Sequence, residues 1–230
     1  MQLAIVMPVL NEAPQIEATL LRLNHLRARG ARVIVVDGGS QDDTVTRAAP
    51  LADRTLVAPR GRSLQMNAGA RADEAAGADV LLFLHADTQL PAEADRLIFR
   101  SLANSTRCWG RFDLAFAPAT PLLRLVATMI NLRSRATGVA TGDQAIFVSR
   151  GAFLALQGFA PIALMEDIEF SQRARHLSPP LALRARVITS PRRWQQRGVW
   201  RTIFLMWRLR LAYFLGADPD DLARRYRDVR

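Results

Sequence analysis

The sequence predicts an α/β fold in which a mostly parallel sheet is flanked by helices, with a helical extension at the carboxyl end. Three largely apolar runs, at residues 3–9, 32–36 and 80–84, each stop abruptly at polar residues. Short runs of this kind are typical of strands buried on both faces, as in parallel sheets. Stretches of helix length separate them, which favours parallel pairing through right-handed crossovers. A chain of 230 residues suits one such domain.

The first half of the chain follows this alternation closely. A strand at 3–9 leads to a helix that Pro14 opens and Gly30 ends, in keeping with the usual places of these residues. Apolar spacing and turn residues predict further strands at 32–36, 55–58, 80–84, 110–116 and 145–149, and helices from Arg62, at 90–102, at 121–133 and from Met165. The second half is less regular, and no repeat or long linker divides the chain.

Composition excludes several classes of protein. The single cysteine, Cys108, rules out intrachain disulfides and cysteine-cluster zinc sites. The amino terminus lacks the features of a signal peptide, and no apolar run reaches the length of about 18 residues that a bilayer crossing needs, so we expect cytoplasmic residence. The net charge of +10 comes from arginine without lysine. Its sign favours phosphates, nucleotides and anionic lipid.

Acidic side chains stand at the carboxyl ends of three predicted strands. Glu12, with Asn11 beside it, follows the first, Asp37 ends the second, and Asp87 follows the strand at 80–84. If these strands are neighbours, the carboxylates converge at the edge where open α/β sheets bind ligands. Taken singly, Asp37 suits a turn with a helix cap equally well. Together, the three carboxylates favour a site for a metal ion or a phosphate-bound metal.

Other catalytic and nucleotide-binding motifs do not occur. The segment Gly38-Gly39-Ser40 does not follow the G-x-G-x-x-G pattern of dinucleotide-binding domains. The sequence also contains neither a G-x-x-x-x-G-K-[ST] phosphate loop nor the G-x-S-x-G elbow of serine hydrolases. A dinucleotide-binding domain and a serine hydrolase are therefore poorly supported.

Four segments occur in a characteristic order: VMPVLNE ending at Glu12, VVDGGSQDDT ending at Thr44, His85-Ala86-Asp87, and Glu166-Asp167. They resemble the motifs of family 2 glycosyltransferases with the Rossmann-like GT-A fold, over most of residues 1–175. A narrower resemblance is to the bacterial radical-SAM/selenodomain-associated branch of the arsenosugar-biosynthesis type. The segments that carry the narrower resemblance are RSLQMNAG at 62–69, GDQ at 142–144 and RRW at 192–194.

The resemblance implies a nucleotide-sugar site. Its substrate- and nucleotide-binding residues would be Pro8, Val9, Asn11, Glu12, Asp37, Gly38, Arg62, Asn67, Ala86, Asp143, Gln144, Arg193 and Trp194. Asp87 would match the last residue of the family's D-x-D motif, which bridges a divalent cation, Mg²⁺ or Mn²⁺, to the diphosphate. His85 replaces the first aspartate of that motif. It is either a second metal ligand, which would favour Mn²⁺, or a hydrogen-bonding neighbour, the interpretation that we favour.

The resemblance also implies that Asp167 is the catalytic base, with Glu166 before it. A carboxylate there can take the proton of an acceptor hydroxyl as its oxygen attacks the anomeric carbon from the opposite face, which inverts that carbon. From the residues alone, the better interpretation is a helix amino terminus, where an acidic side chain stabilises by about 0.3–1 kcal/mol. The order of the four segments decides for catalysis.

The chain ends in a basic segment followed by an apolar helix. Residues 190–198 hold Trp194 among arginines, which suits either a clamp on the acceptor or diphosphate or a solvated loop. Residues 200–215 predict a helix that must bury more than one face. It would dock on a membrane interface, or pack on the sheet and contact a second subunit. Its apolar and flanking basic residues are Trp200, Ile203, Phe204, Trp207, Leu211, Phe214, Arg201, Arg208 and Arg210.

We therefore predict an inverting, metal-assisted glycosyltransferase, with residues 1–190 as the catalytic domain and 191–230 as a basic helical tail packed on it. The donor would be a nucleotide-diphosphate sugar, with a UDP sugar favoured, and the acceptor a hydroxyl group, lipid-linked acceptors included. No nucleic-acid partner is expected. The location would be cytoplasmic, with peripheral attachment to the inner face of the membrane as one option. The alternatives are a nucleotidyltransferase acting on a sugar phosphate and a catalytically silent nucleotide- or membrane-binding protein.

Overall fold

The computed structural model describes residues 1–228, apart from the side chains of Arg193, Arg197, Arg227 and Asp228. In this part of the chain eight strands form one sheet in the order β3-β2-β1-β4-β7-β6-β8-β5. The strands are β1 (Leu3–Val9), β2 (Arg32–Asp37), β3 (Arg54–Val57), β4 (Val80–Phe83), β5 (Thr88–Gln89), β6 (Trp109–Phe116), β7 (Phe147–Ser149) and β8 (Leu181–Thr189). Four neighbouring pairs are parallel and three are antiparallel, so the sheet is mixed.

Helices cover both faces of the sheet and continue beyond it at the carboxyl end. They are α1 (Ile16–Leu21), α2 (Asn24–Arg27), α3 (Thr44–Ala48), α4 (Arg62–Ala70), α5 (Asp73–Ala76), α6 (Ala94–Ala103), α7 (Pro121–Thr137), α8 (Arg150–Ala155), α9 (Glu166–Leu177), α10 (Arg192–Arg197), α11 (Val199–Phe214) and α12 (Pro219–Asp228). A 3₁₀ turn, Gly142–Gln144, precedes β7.

The parallel half of the sheet positions the predicted carboxylates. β1 lies between β2 and β4 and is parallel to both, with Val9 beside Asp37 in the register. The carboxyl ends of these three strands therefore meet at one edge of the sheet, as the sequence predicted. Glu12, Asp37 and Asp87 follow or end those strands.

Side chains of β1 and β2 alternate between two core layers, because successive residues of a strand point to opposite faces. Ile5 and Val35 pack with α1, α2, α6 and α7 on one face. Val6 and Val36 pack with α4, α8 and α9 on the other. Gly69 lets α4 lie directly on β1, since a Cβ there would come within 2.5 Å of a methyl group of Val6.

A third cluster joins the end of the chain to the beginning of α9. Leu209 of α11 and Leu222 and Tyr226 of α12 pack against Met165 and Ile168. The carboxyl-terminal helices thus contact the segment that carries Glu166 and Asp167.

The structure contains strands β5 and β8 and helices α5, α8 and α10, which were not predicted from the sequence, and it divides one predicted helix into two. Sequence reasoning missed β8, which pairs with β6 and β5; its alternation of exposed Arg184, Arg186 and Ile188 with less exposed neighbours was the available signal. The helix predicted between residues 14 and 30 is divided into α1 and α2. Short bonds from the Leu23 N–H to the Leu20 carbonyl and from the Leu26 N–H to the Leu23 carbonyl, both 2.9 Å, tighten the chain between them.

Candidate functional site

A cavity of about 310 Å³ opens beyond the carboxyl ends of β1 and β4. This is the edge at which open α/β sheets bind ligands. Nine of the residues predicted for the site line the cavity: Pro8, Val9, Glu12, Arg62, His85, Ala86, Asp87, Asp143 and Trp194.

Leu10, Gln65 and Ser190 lie in segments already described from the sequence, and the rest of the cavity wall comes from segments that the sequence did not assign to the site. These segments are the ends of β6 and β8, the loop before α4, the loop before α9, and α12. Their positions depend on long-range pairing and on how the tail packs, neither of which local patterns reveal. The additional lining residues are Leu10, Arg60, Gly61, Gln65, Phe116, Ala163, Leu164, Thr189, Ser190, Ala223 and Tyr226.

The loops after β1 and β2 are joined into one unit, which we call the paired loops (residues 10–15 and 38–43). The Asn11 N–H donates to the Ser40 hydroxyl, and the Gln41 N–H donates to the Asn11 side-chain oxygen, both at 2.8 Å. The Glu12 N–H donates to the Thr44 hydroxyl at 2.7 Å. Asn11 has φ +53°, a left-handed conformation that asparagine tolerates better than most residues. These bonds fix the position of Glu12 at the cavity rim.

Asp37 forms its hydrogen bonds within the second of the paired loops. Its Oδ2 accepts from the N–H groups of Gly39, at 2.8 Å, and Ser40, at 2.9 Å, and its Oδ1 accepts from the Ser40 hydroxyl. The side chain is buried, and neither Asp37 nor Gly38 lines the cavity. A Cβ on Gly38 would lie 3.0 Å from the Gln65 side-chain oxygen, so the loop is in close contact with α4. The bonds of Asp37 are those of a turn-stabilising residue.

Gln65 joins the two central strands behind the cavity. Its side-chain amide donates to the carbonyl of Val9 at 2.8 Å and to that of Val36 at 2.7 Å. The side chain is buried, and it also lines the cavity. A glutamine between the apolar residues Leu64 and Met66 of α4 was the sequence signal for this role.

His85 and Asp143 connect the β4 edge to the 3₁₀ turn. The His85 Nδ1 lies 3.0 Å from Asp143 Oδ1. The other side of the ring lies against Gly142, where a Cβ would come within 2.7 Å of Nε2. Only a glycine leaves room for the ring in this position. Asp87, two residues after His85, faces the same cavity and accepts a weak hydrogen bond from the Thr88 hydroxyl at 3.3 Å.

Asp167 lies at the beginning of α9, and two backbone N–H groups orient its side chain. Its Oδ2 accepts from the Gly142 N–H at 2.9 Å and its Oδ1 from the Ile168 N–H at 2.8 Å. Glu166 is buried beside it. Burial raises the pKa of Glu166, and the charge of Asp167 adds to this rise; Arg62 opposes both. The pair thus combines an oriented carboxylate with one whose proton is held more tightly than usual.

Arg62, at the start of α4, is the cation around which these acids gather. Burial alone would lower the pKa of its guanidinium, but the negative charges of Glu166, Asp143 and Asp167, with the nearby phenol of Tyr226, raise it above its ordinary value. Arg62 therefore stays charged. Because it also lines the cavity, this charge is next to any ligand that enters.

Glu12 faces the cavity from the opposite rim. Burial raises the pKa of Glu12, Arg192 opposes this rise, and the charge of Asp87 adds to it. The Arg192 Nη2 lies 3.6 Å from Glu12 Oε2, so the basic segment of the tail contacts the acidic rim. The sequence predicted the basic segment but not this contact.

Besides Asn11, Asp37 and Gly38, two more of the predicted binding residues, Asn67 and Gln144, do not line the cavity. The side-chain amide of Asn67 forms two hydrogen bonds with the backbone of Phe159, at 2.8 and 2.9 Å. Gln144 is fully buried, and its side-chain oxygen accepts from the Thr141 N–H at 3.2 Å. The side chain of Arg193 lies outside the described residues. Trp194, by contrast, lines the cavity and stands edge-to-face on Phe116, with ring centroids 5.6 Å apart.

The donor atoms at the cavity suit a divalent cation that is shared with a ligand. Among the described residues, no group of three or more histidine, cysteine, aspartate or glutamate side chains is arranged around a metal position. Asp87 and Glu12 nevertheless present carboxylate oxygens to one cavity. Mg²⁺ and Mn²⁺ accept such oxygens and complete their coordination with phosphate oxygens and water. The ring of His85, held between Asp143 and Gly142, is arranged as a hydrogen-bonding neighbour.

Solved structures of glycosyltransferases share this architecture. Residues 1–349 of S. aureus TarS match with a TM-score of 0.64 and 16% identity, over 83% of this chain and 61% of that one. Glucosyl-3-phosphoglycerate synthase from Mycobacterium tuberculosis, solved with Mn²⁺, UDP and glucosyl-3-phosphoglycerate, matches with a TM-score of 0.59 and 18% identity, over 82% and 70%. The mannosyltransferase PcManGT from Pyrobaculum calidifontis, solved with GDP-Man and Mn²⁺, matches with a TM-score of 0.64 and 19% identity, over 99% and 69%.

These similarities establish the fold, which is the α/β GT-A fold of glycosyltransferases, and the chain spans less than two thirds of the TarS structure. No curated protein sequence matches the chain. The sequence profile of Glycosyl transferase family 2 matches residues 4–125, more than half of the 230 residues. The chain belongs to this family of glycosyltransferases.

Proposed function

We propose that this protein is an inverting glycosyltransferase that moves a sugar from a nucleoside-diphosphate sugar to an acceptor hydroxyl. The observation that carries the proposal is a short connection, partly along the chain and partly through hydrogen bonds, between Asp87 and Asp167. His85, two residues before Asp87, contacts Asp143, and Gly142, the neighbour of Asp143, donates to Asp167. The residues assigned to the diphosphate and to the acceptor are thereby held at a fixed relation to each other.

In this proposal the nucleoside occupies the part of the cavity lined by Pro8, Val9 and Glu12. The paired loops, with Asn11, Asp37 and Gly38, support that part from behind. Arg62, and Arg60 from the same segment, face the diphosphate, because a guanidinium binds phosphate oxygens with directed hydrogen bonds. A UDP sugar is the favoured donor, and the support for it is that the TarS and synthase structures were solved with UDP-GlcNAc and UDP.

The proposed reaction needs one base on the acceptor side. As the acceptor oxygen bonds to the anomeric carbon, its proton passes to a carboxylate oxygen of Asp167. The bond between that carbon and the diphosphate oxygen breaks, and its electron pair leaves with the nucleoside diphosphate. Attack opposite to the leaving group inverts the carbon. Glu166, whose pKa is raised by burial, interacts favourably with the charge of Arg62 and does not exchange protons with the acceptor in this proposal.

Asp87 would hold the divalent cation, with Glu12 close by, and the cation would supply charge neutralisation for the departing diphosphate. Mn²⁺ in the synthase and the mannosyltransferase structures supports this assignment. In the proposal His85 orients the 3₁₀ turn through Asp143 and does not bind the cation.

The narrower assignments rest on fewer observations. The radical-SAM/selenodomain-associated branch is supported by the segments at 62–69, 142–144 and 192–194. We keep residues 1–190 as the catalytic domain and 191–230 as a basic tail, supported by the contact between Arg192 and Glu12. The acceptor is a hydroxyl compound, and the apolar side chains that α11 exposes favour a lipid-linked one at a membrane surface. None of the helices in residues 1–228 combines the length and apolar composition needed to cross a bilayer.

A ligand screen followed by product analysis tests the proposal. Thermal unfolding is measured with a panel of nucleotides and nucleotide sugars, with and without Mn²⁺. A ligand at 100 times its dissociation constant should stabilise the fold by about 2.7 kcal/mol. The donor so identified is then incubated with hydroxyl compounds, and released nucleoside diphosphate is assayed beside pyrophosphate. Release of the diphosphate with an inverted product supports transfer. Release of pyrophosphate would identify a nucleotidyltransferase, and the absence of both products with every stabilising ligand would favour a silent binding protein.

A further inference from the structure

Helix α11 presents an apolar stripe to the solvent. The stripe, which we call the exposed stripe, consists of Trp200, Phe204, Trp207, Leu211 and Phe214, each 59–65% exposed. Their spacing of four and three residues places them on one face of the helix. All the exposed aromatic side chains among residues 1–228 whose burial is described belong to this stripe. Contiguous apolar surface of this kind marks an interaction site.

The packing of α11 on the protein does not use the exposed stripe. Leu209 is buried in the third cluster, where Leu205 and Met206 join it. Ile203 packs on the main core, and Thr202 is buried. Because these residues already hold the helix in place, the side chains of the exposed stripe are not needed to pack α11 on the protein.

Helix α7 also carries exposed apolar side chains. Leu125, Met129 and Leu132, also at spacings of four and three, are each more than half exposed. Their spacing places them on one face of α7.

The charged residues within the two segments that carry α7 and α11 all have one sign. The sequence has no aspartate or glutamate between residues 191 and 217, or between 114 and 142. Arg201 and Arg208 flank the exposed stripe on α11, and both are exposed. A matching surface must therefore be apolar in its interior and negatively charged at its boundary.

We propose that the exposed stripe and its flanking arginines dock this protein on the surface of a bilayer that contains anionic phospholipid. Tryptophan and phenylalanine enter the boundary between headgroups and acyl chains, while arginines bind the phosphates above it. A second copy of the chain fits less well, since a two-fold contact through the stripe would place arginines opposite arginines with no acidic residue of these segments to separate them.

Docking would also orient the cavity. Helix α10, which carries Trp194 of the cavity wall, is followed directly by α11. The cavity would then be held near the bilayer, within reach of a lipid-linked hydroxyl acceptor. This orientation rests on the proposed transfer function, whereas docking itself does not.

Sedimentation with phospholipid vesicles tests the docking. The protein is mixed with vesicles of phosphatidylcholine, or of phosphatidylcholine with about one third phosphatidylglycerol, without any donor or acceptor. We expect binding to the anionic vesicles that weakens as salt is raised, because the attraction of arginines to the surface is screened. The double variant Trp200→Ser/Trp207→Ser should bind about tenfold or more weakly. The variant Arg201→Gln/Arg208→Gln should lose most of the preference for anionic vesicles, by about 30-fold.

A matched control separates the exposed stripe from apolar exposure in general. Leu154 and Leu177 are about half exposed on α8 and α9, so Leu154→Ser/Leu177→Ser should bind vesicles like the wild type. All variants should keep the circular-dichroism spectrum and the cooperative thermal unfolding of the wild type, which shows that they are folded. Equal sedimentation of the wild type and the tryptophan variant would overturn the proposal. So would a wild-type dimer in solution that the tryptophan variant abolishes, combined with no vesicle binding. Neither result would bear on sugar transfer, which is assayed with soluble ligands.

Discussion

Two groups of carboxylates in this protein have pKa values that are shifted in opposite directions. At the amino-terminal edge of the sheet, Asp53 accepts two hydrogen bonds from Arg27, at 3.0 and 3.1 Å, and one from the Val33 N–H at 2.8 Å. Burial alone would raise the pKa of Asp53, but these bonds bring it below its ordinary value. At the cavity edge, burial raises the pKa of Glu12 and of Glu166, and the nearby arginines offset only part of the rise.

The difference separates a stabilising region from the proposed reactive one. Asp53 has its own cation and backbone donors, so its charge adds to the stability of the fold. At the cavity, Glu166, Asp143 and Asp167 share one cation, Arg62. Groups with shifted pKa values of this kind are concentrated at functional sites.

The largest expected effect is the loss of transfer in Asp167→Asn. The amide cannot accept the acceptor proton, so the rate constant of transfer should fall by about 10²- to 10⁴-fold. Binding of the donor, measured by calorimetry, should change little because the proposed role of Asp167 is on the acceptor side of the site. An Asp167→Asn enzyme that keeps wild-type activity would contradict its assignment as the base.

The matched change at the amino-terminal edge of the sheet is Asp53→Asn. It removes charge-assisted hydrogen bonds to Arg27, and we expect the free energy of unfolding to fall by about 1–2 kcal/mol after allowance for solvent screening. Denaturant unfolding measures this loss, while the rate of transfer at a permissive temperature should be unchanged. A large loss of activity in this variant would break the distinction between the two regions.

A smaller effect on transfer is expected from Gly142→Ala. The new Cβ would come within 2.7 Å of the His85 ring, which must then turn away from Asp143. We expect about a tenfold slower transfer and a loss of about 1–3 kcal/mol of stability from the overpacking. Gly151→Ala is the control, because no atom lies within 4 Å of its Cβ. If both variants have wild-type activity, the position of His85 does not matter to the site.

The smallest effects concern the pH dependence of stability. The pKa of Asp53 is lowered, so the folded state binds fewer protons than the unfolded state. The contribution of Asp53 to the stability of the fold is therefore present above pH 3.8 and is lost as the pH falls below that value. The pKa of Glu166 is raised, so the folded state binds more protons than the unfolded state. The contribution of Glu166 to the stability of the fold is therefore present below pH 4.5 and is lost as the pH rises above that value. Unfolding free energies of the wild type, Asp53→Asn and Glu166→Gln over this range should therefore diverge in opposite directions. Parallel curves for the two variants would contradict the comparison.

The sequence predicted the parallel half of the fold well because that information is local. Each of β1, β2 and β4 is a short apolar run that ends at a polar residue, and their adjacency brought Glu12 and Asp87 to one edge as expected. The β6–β8 pairing was missed for two reasons. The exposed arginines of β8 make its alternation of apolar and polar residues hard to recognise, and the two strands lie about 70 residues apart along the chain. As a result, Thr189, Ser190 and Phe116 were not anticipated in the cavity.

Polar side chains inside helices and turns were harder to assign. Asn67 and Gln144 were predicted to bind the substrate, yet their amides hydrogen-bond the backbone in buried positions. Gln65, which was not singled out, has the same kind of structural role and also lines the cavity. Whether such a side chain faces a ligand or a carbonyl depends on neighbours that are distant in sequence. Family motifs identify the segment but not the direction in which each side chain points.

The paired loops have a consequence for the kinetics of local opening. Their hydrogen bonds run in both directions, from Asn11 to Ser40 and from Gln41 back to Asn11. Neither loop can therefore leave its place without breaking bonds to the other. The backbone N–H groups of Asn11, Glu12 and Gln41 should exchange with deuterium at one common rate, as members of a single opening unit. A ligand that contacts only Glu12 would then slow exchange at Gln41 as well.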